Sequence, residues 1–232
     1  MRRGYGHHGS QPRWAWASAV WVRWALCGLL CVSAATAHAT PLLGTIEFRS
    51  DNLSALTKWQ SVLAKISLER PIYATCSTDP LNCPLTALVG WRDLIKAQQG
   101  KPVLEQLAAV NAYANRYPYK TDLTVWQLSD YWASPKEFLE KSGDCEDYVI
   151  LKFVTLRALG IPNDRLRLVV VQDTVRRLAH AVLAVYHNNE VYILDSLFDA
   201  VLAQSFVRQY RPYYSVNETT RWAHLLPRRP QE

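Results

Sequence analysis

The chain has 232 residues, 49% hydrophobic and 20% charged, with 26 Lys and Arg against 20 Asp and Glu for a formal net charge of +6. That balance excludes a low-complexity disordered chain and supplies ample apolar material for one core. The positive surplus is concentrated: residues 1–39 carry four arginines (Arg2, Arg3, Arg13, Arg23) and no acid, and without them the net charge is +2. No basic stripe remains beyond that segment, so nothing argues for a nucleic-acid partner.

The first stretch, MRRGYGHHGSQPRWAWASAVWVR, leads into the apolar run WALCGLLCVSAATA and then Ala37-His38-Ala39. A basic start, a short apolar run and a small-x-small triplet predict a cleavable signal peptide over residues 1–39. The alternative, an uncleaved anchor, is disfavoured because the run is short for a bilayer span. Cleavage would leave three cysteines, Cys76, Cys83 and Cys145, and three histidines, His180, His187 and His224. Cys76 and Cys83 flank a short polar stretch, TCSTDPLNCP, and are expected to pair in an oxidising compartment. Cys145 is then the one free thiol of an exported chain.

No internal repeat or long linker appears between residues 45 and 226, and residues 40–232 suit a single domain, helical over about 45–160 and a β-sheet over about 164–218. Leu53, Leu56, Trp59, Leu63 and Ile66 recur at helical spacing behind Asp51 and Asn52 as candidate caps. Further helices are expected through LTALVGWRDLIKAQQG and through PVLEQLAAVNAYANRY, the latter ending before Pro118. ASPKEFLEKSG reads as a compact helix, with Ser134 and Glu137 as a capping box, Pro135 in the first turn and Gly143 as the stop. The next helix spans Cys145 to Leu159, with Tyr148, Leu151, Val154, Thr155 and Leu159 along one side. RLRLVVVQD, AHAVLAVYH, EVYILDS and PYYSVNE then read as strands. Helices followed by an antiparallel sheet make the α+β class.

Asn188-Asn189 suits a two-residue hairpin turn, which pairs His187 with Glu190. In that register His180 and Asp195 lie on the same face as diagonal neighbours, where a carboxylate can fix an imidazole's tautomer. Cys145 at a helix start is favoured as a thiolate by the helix dipole, and first-turn amides there can hold an oxyanion. A helix-borne cysteine facing a histidine and an aspartate on a sheet is a papain-like arrangement for thiol acyl chemistry. Each residue also has an ordinary alternative: a core thiol, a structural strand histidine, a turn-forming aspartate. The polar surroundings of Cys145 and the scarcity of Cys and His weigh towards catalysis. His187 in the turn and His224 in the basic tail are expected to be solvated.

The stretches DYWASPKEFLEKSGDCEDYVILKFVTLRALGI, HAVLAVY and VYILDSL closely resemble the bacterial transglutaminase-like cysteine proteinases, the family of the LapG-type periplasmic proteases that release large surface adhesins. The resemblance implies a papain-like, transglutaminase-like fold over roughly residues 45–226, with Cys145 as nucleophile, His180 as general base and Asp195 as orienting acid. It also implies calcium, held by Asp144, Glu146 and Asp147, with Asp130 a further candidate from its nearness in sequence. A divalent cation there would cancel the repulsion those acids exert on a thiolate. Without a metal, the same acids are explained as complements to the helix dipole. A second oxyanion donor is expected upstream, near Trp126 or Gln127. The implied biology is cleavage of the N-terminal region of a large repeat adhesin, near a small-residue site, under an inner-membrane cyclic di-GMP receptor, with biofilm dispersal as the result. Two other readings of the same residues stay open: a transglutaminase-like acyltransferase and a non-catalytic calcium-binding scaffold.

Overall fold

A computed structural model describes residues 40–227. The segment expected to be a signal peptide, residues 1–39, lies outside the described residues. In chain order the elements are β1 (Ile46–Ser50), α1 (Thr57–Thr78), α2 (Thr86–Gln98), α3 (Val103–Asn115), α4 (Asp122–Trp126), α5 (Pro135–Lys141) and α6 (Cys145–Ala158). Then come β2 (Leu166–Asp173), β3 (Leu178–His187), β4 (Glu190–Leu194), β5 (Leu202–Ala203), β6 (Tyr210–Val216) and β7 (Arg221–Leu225). The strands form one antiparallel sheet in the order β1-β7-β6-β2-β3-β4-β5, so the class is α+β as expected.

The sheet reaches beyond the 164–218 span at both ends of the chain. β1 lies inside the stretch read as helical, and β7 lies in the basic tail, the two pairing with each other through Phe48 and Ala223. Both strands are only five residues long and half solvated; β1 alternates Ile46 and Phe48 with Glu47 and Arg49, but the run is too brief to outweigh the helical spacing that follows it. His224 is corrected with them. It is a buried β7 residue, its ring bonded at 2.8 Å to Thr45 Oγ1 and at 2.8 Å to Ser215 Oγ. Burial pulls it down to about 4, so it is held neutral.

Asp51 and Asn52 do not cap α1. The helix begins after Leu56 with no side-chain cap, while Asn52 Oδ1 accepts from the Ser54 amide and Asp51 Oδ1 from the Thr220 hydroxyl. Short polar side chains near a helix start have other backbone groups to satisfy, and here the turn wins. Cys76 falls in the last turn of α1, rather than in a loop, and is bonded to Cys83 as the sequence predicts. α5 has the expected capping box, the Ser134 hydroxyl accepting from the Glu137 amide and the Glu137 carboxyl from the Ser134 amide at 2.8 Å.

α6 is the centre of the molecule. The sequence gives it one apolar side, yet Asp147 to Phe153 are all buried, because α6 packs against β2 and β3, α3 and α5 at once. On its side of the sheet, Leu166, Leu168, Leu183, Val185 and Val216 meet Trp59, Val62, Val110, Val149 and Phe153. The opposite face is closed by a smaller cluster of Val169, Val171, Val182, Ala184, Ile193 and Tyr210.

Trp59 ties α1 to this core. Its ring meets Phe153 edge-on at 5.6 Å and Trp132 at 6.3 Å, and its indole N–H donates to the Asn217 carbonyl at 2.8 Å. Trp59→Ala is expected to cost about 3–5 kcal/mol, read as a lower urea midpoint at an unchanged m-value.

Candidate active site

The first turn of α6 is fixed by a side chain three residues into it. Asp147 is fully buried; its Oδ1 accepts from the Ala133 amide at 2.7 Å and its Oδ2 from the Asp144 amide at 3.2 Å. Residue 143 must be glycine for this: a Cβ there would lie 2.0 Å from Asp147 Oδ2. The Gly143 carbonyl accepts from the Lys120 amide at 2.9 Å, and the Tyr148 hydroxyl donates to the Tyr117 carbonyl. The turn ahead of Cys145 is thus held from both sides.

Cys145 is half-buried, and its thiol donates to Glu146 Oε2 at 3.2 Å. The Ala181 backbone amide reaches the sulfur from β3. Burial first, then the charges of Glu146 and Asp144, push the thiol up from its ordinary value. The acids around this cysteine therefore oppose ionisation, and the helix dipole alone does not offset them.

The β3–β4 hairpin forms as predicted. Asn188 and Asn189 both take positive φ (49° and 62°), as a two-residue primed turn requires, and the register runs from His187–Glu190 to Leu183–Leu194. The ladder ends there, and Asp195 is the next residue. His180 Nε2 is bonded to Asp195 Oδ1 at 2.8 Å, the Leu197 amide donates to the same oxygen at 3.0 Å, and the Tyr210 hydroxyl donates to Oδ2. Burial pushes the Asp195 carboxyl up, but the hydrogen bond and charge of His180, with Tyr210 and the Leu197 amide, outweigh it and hold the group below the usual carboxylate range. With Nε2 committed to Asp195, Nδ1 is the His180 nitrogen available to a second partner. Since Ala181 meets the cysteine sulfur, Cys145 arrives at the strand position adjoining His180.

The acids expected to hold calcium gather beside this pair. Asp122, Asp144 and Asp147 each place a ligand atom within 4.8 Å of the others, as do Asp122, Asp130 and Glu146. Among the described residues Asp122 Oδ1 and Asp144 Oδ1 are buried with no hydrogen-bond partner, whereas both oxygens of Asp147 are engaged by amides. Asp130 pairs with Lys58. Burial and the neighbouring Glu146 push Asp144 up to about 8. Unpaired carboxylate oxygens in close array form an all-oxygen donor set, which suits a hard cation such as calcium.

Asp122 and Tyr210 had escaped sequence reasoning. Asp122 lies in a five-residue helix with no periodicity to mark it, and Tyr210 is one of several aromatics in its strand. Trp126 and Gln127, expected near a second oxyanion donor, end α4: the Trp126 ring packs on Tyr131 and under Lys141, and Gln127 takes a left-handed conformation at the helix stop. His187 is half-buried at the end of β3.

The family described as bacterial transglutaminase-like cysteine proteinase (BTLCP) matches residues 71–229. Among solved structures, calcium-bound Legionella pneumophila LapG is 38% identical, over 60% of this chain and 78% of that one, with a TM-score of 0.56. EGTA-treated LapG from the same organism is also 38% identical, over 60% of this chain and 76% of that one, with a TM-score of 0.55. Among curated protein sequences none matches significantly. The six α-helices and seven-stranded antiparallel sheet of the described residues match the transglutaminase-like cysteine protease fold.

The raised Asp144 carboxyl has a signature in stability. An aspartate in an unfolded chain ionises near pH ~4, whereas Asp144 in the fold holds its proton up to about 8. Between those values the folded state binds more protons, so metal-free protein loses stability as pH rises. Its melting temperature in chelator is expected to fall steadily from about pH 5 to about pH 8; a flat or rising profile would contradict the assignment.

Proposed function

Because the chain belongs to the bacterial transglutaminase-like cysteine proteinases, we propose that its peptidase chemistry runs on Cys145 as nucleophile, His180 as general base and Asp195 as orienting acid. The observation that carries this reading is the His180–Asp195 hydrogen bond of 2.8 Å, on a strand whose next amide, that of Ala181, meets the Cys145 sulfur. In this scheme Nδ1 of His180 takes the thiol proton and the thiolate attacks the scissile carbonyl carbon. First-turn amides of α6 hold the oxyanion. The protonated ring then gives its proton to the departing amine, leaving a thioester on Cys145. Water, deprotonated by His180, hydrolyses that thioester and frees the thiol. Asp195 stays ionised throughout and steadies the ring's charged form, with Tyr210 and the Leu197 amide holding the carboxylate.

Calcium fits the donor set of Asp122, Asp130, Asp144 and Glu146, with Asp147 keeping its role as the fastener of the turn. When bound, the ion supplies positive charge that offsets the acids beside the thiol and so favours thiolate. Support from outside the chain is the similarity to LapG, which was solved both calcium-bound and after EGTA treatment. The substrate in this proposal is the N-terminal region of a large repeat adhesin, cleaved in the periplasm after export by the signal at residues 1–39. Release of the adhesin would disperse a biofilm. Control would come from the periplasmic domain of an inner-membrane cyclic di-GMP receptor that sequesters the protease. The family resemblance supports this biology.

Cys145→Ala is expected to lower cleavage by about 10³-fold or more while leaving the melting temperature within a few degrees. The assay is incubation of the mature protein with the N-terminal segment of a large repeat adhesin from the same source; retained cleavage would exclude Cys145 as nucleophile. Chelator is expected to suppress the reaction and added calcium to restore it. Asp144→Ala should weaken that calcium response, and full activity in excess chelator would take the metal out of the mechanism.

A further inference from the structure

Two lysines of α1 reach the segment that joins α4 to α5, and they are held in opposite ways. Lys58 and Lys65 stand seven residues apart, two helical turns, so both side chains leave one side of α1 about 10 Å apart along its axis. Lys65 is fixed: its Nζ donates to the Tyr131 hydroxyl at 3.0 Å, to the Trp132 carbonyl at 2.7 Å and to Glu137 Oε2 at 2.7 Å. Lys58 has a single partner, Asp130, and both side chains of that pair are about half exposed. An ammonium held by one exposed carboxylate is released at little cost.

The position of Lys58 needs a reason. It is the second residue of α1, whose first turn holds no acid and no side-chain cap. A cation at a helix N-terminus opposes the helix dipole. The compensation lies across the pair. Asp130 places an oxygen within 4.8 Å of ligand atoms of Asp122 and Glu146, and Glu146 Oε2 accepts from the Cys145 thiol. Among the described residues, no other lysine, arginine or histidine forms an ion pair with Asp122, Asp130, Asp144, Glu146 or Asp147. Lys58 is thus the one cation paired with the acids that fit calcium.

Its stem also has room to withdraw. A cavity of about 220 Å³ opens beside the pair, lined by Lys58, Asp130, Leu56, Trp132 and Tyr214 among others. The lysine stem is flexible, and its methylenes lie readily along apolar walls. The backbone beneath it stays in place, because the next residue, Trp59, is buried in the core.

We propose that Lys58 is a built-in competitor for calcium: its ammonium and the ion contend for the Asp130 carboxylate, so that binding of the ion displaces the lysine into the neighbouring cavity. This deepens the calcium reading above and rests on it. The exchange sets the affinity of the site, making it weaker than the same acids would be without the lysine.

The test measures calcium binding directly, by isothermal titration calorimetry of the chelator-treated full chain, in wild type, Lys58→Met and Lys58→Arg with native circular dichroism. Lys58→Met, which keeps the bulk of the stem and loses the charge, is expected to bind calcium about threefold tighter or more. Lys58→Arg, which grips a carboxylate at least as firmly, is expected to match wild type or bind more weakly. In an Asp130→Asn background, Lys58→Met is expected to leave the affinity within about twofold, because no carboxylate remains to contend for. Unchanged or weaker binding in Lys58→Met would overturn the proposal. So would an equal gain with and without Asp130, which would make Lys58 a general repulsive charge and not a competitor for one ligand. Wild-type protein that takes up no calcium would instead defeat the calcium reading itself.

Discussion

The Asp147 carboxyl, buried at the start of α6 and accepting from the amides of Ala133 and Asp144, fixes where the rest of the site can be. It ties the segment before α5 to the residue before Cys145, and so sets both the direction of α6 and the exit angle of the cysteine. In so buried a setting these hydrogen bonds tolerate little displacement. The requirement for glycine at 143 follows from the same contact, since any side chain there would occupy the space of Asp147 Oδ2.

The site is assembled from two halves with opposite electrostatics. On the helix side, Cys145 sits among Asp144, Glu146 and the neighbouring Asp122, and burial together with those acids raises both the thiol and the Asp144 carboxyl. On the sheet side, Asp195 is held ionised despite its burial by His180, Tyr210 and the Leu197 amide. On the proposed mechanism, a proton leaving the thiol would move from a half that resists anionic charge towards one prepared to stabilise a cation. The helix dipole contributes about 0.3–1 kcal/mol at a terminus, too little to counter several nearby carboxylates. The divalent ion of the proposed function, bound on the helix side, would change that balance most directly.

The legible parts of the sequence were those where a local rule decides the outcome. Asn188-Asn189 fixed the β3–β4 register because a two-residue loop leaves one pairing, and the Ser134–Glu137 box fixed the start of α5 because both partners lie within one turn. What stayed hidden depended on partners distant in the chain. β1 and β7 become strands by finding each other across some 170 residues. Lys152 looks like a solvent-facing charge in a helix read as one-sided, and only the packing of α6 on all sides makes it a buried one. Asp122 joins the acid cluster through a fold-back that no spacing encodes. A lone lysine inside VILKFVTL was nevertheless a signal, since a strong charge in an apolar run must either break the run or be buried with it.

The location of the site follows from a mismatch in strand length. β3 has ten residues and β4 only five, so β3 is paired with β2 along Leu178 to Val185 but with β4 only from Leu183 onward. The far edge of β3 around Ala181 is therefore left without a strand, and an amide that a longer β4 would have claimed is available to meet the Cys145 sulfur. The same early ending releases Asp195 from the ladder, letting its side chain turn to His180 while its carbonyl is taken by Asn115. Extending β4 by two residues would satisfy more backbone hydrogen bonds, but it would close the edge and pull Asp195 back into the pleat. The fold gives up ladder pairing here, and Asn111 and Asn115 of α3 supply the anchoring that a continued strand would have provided.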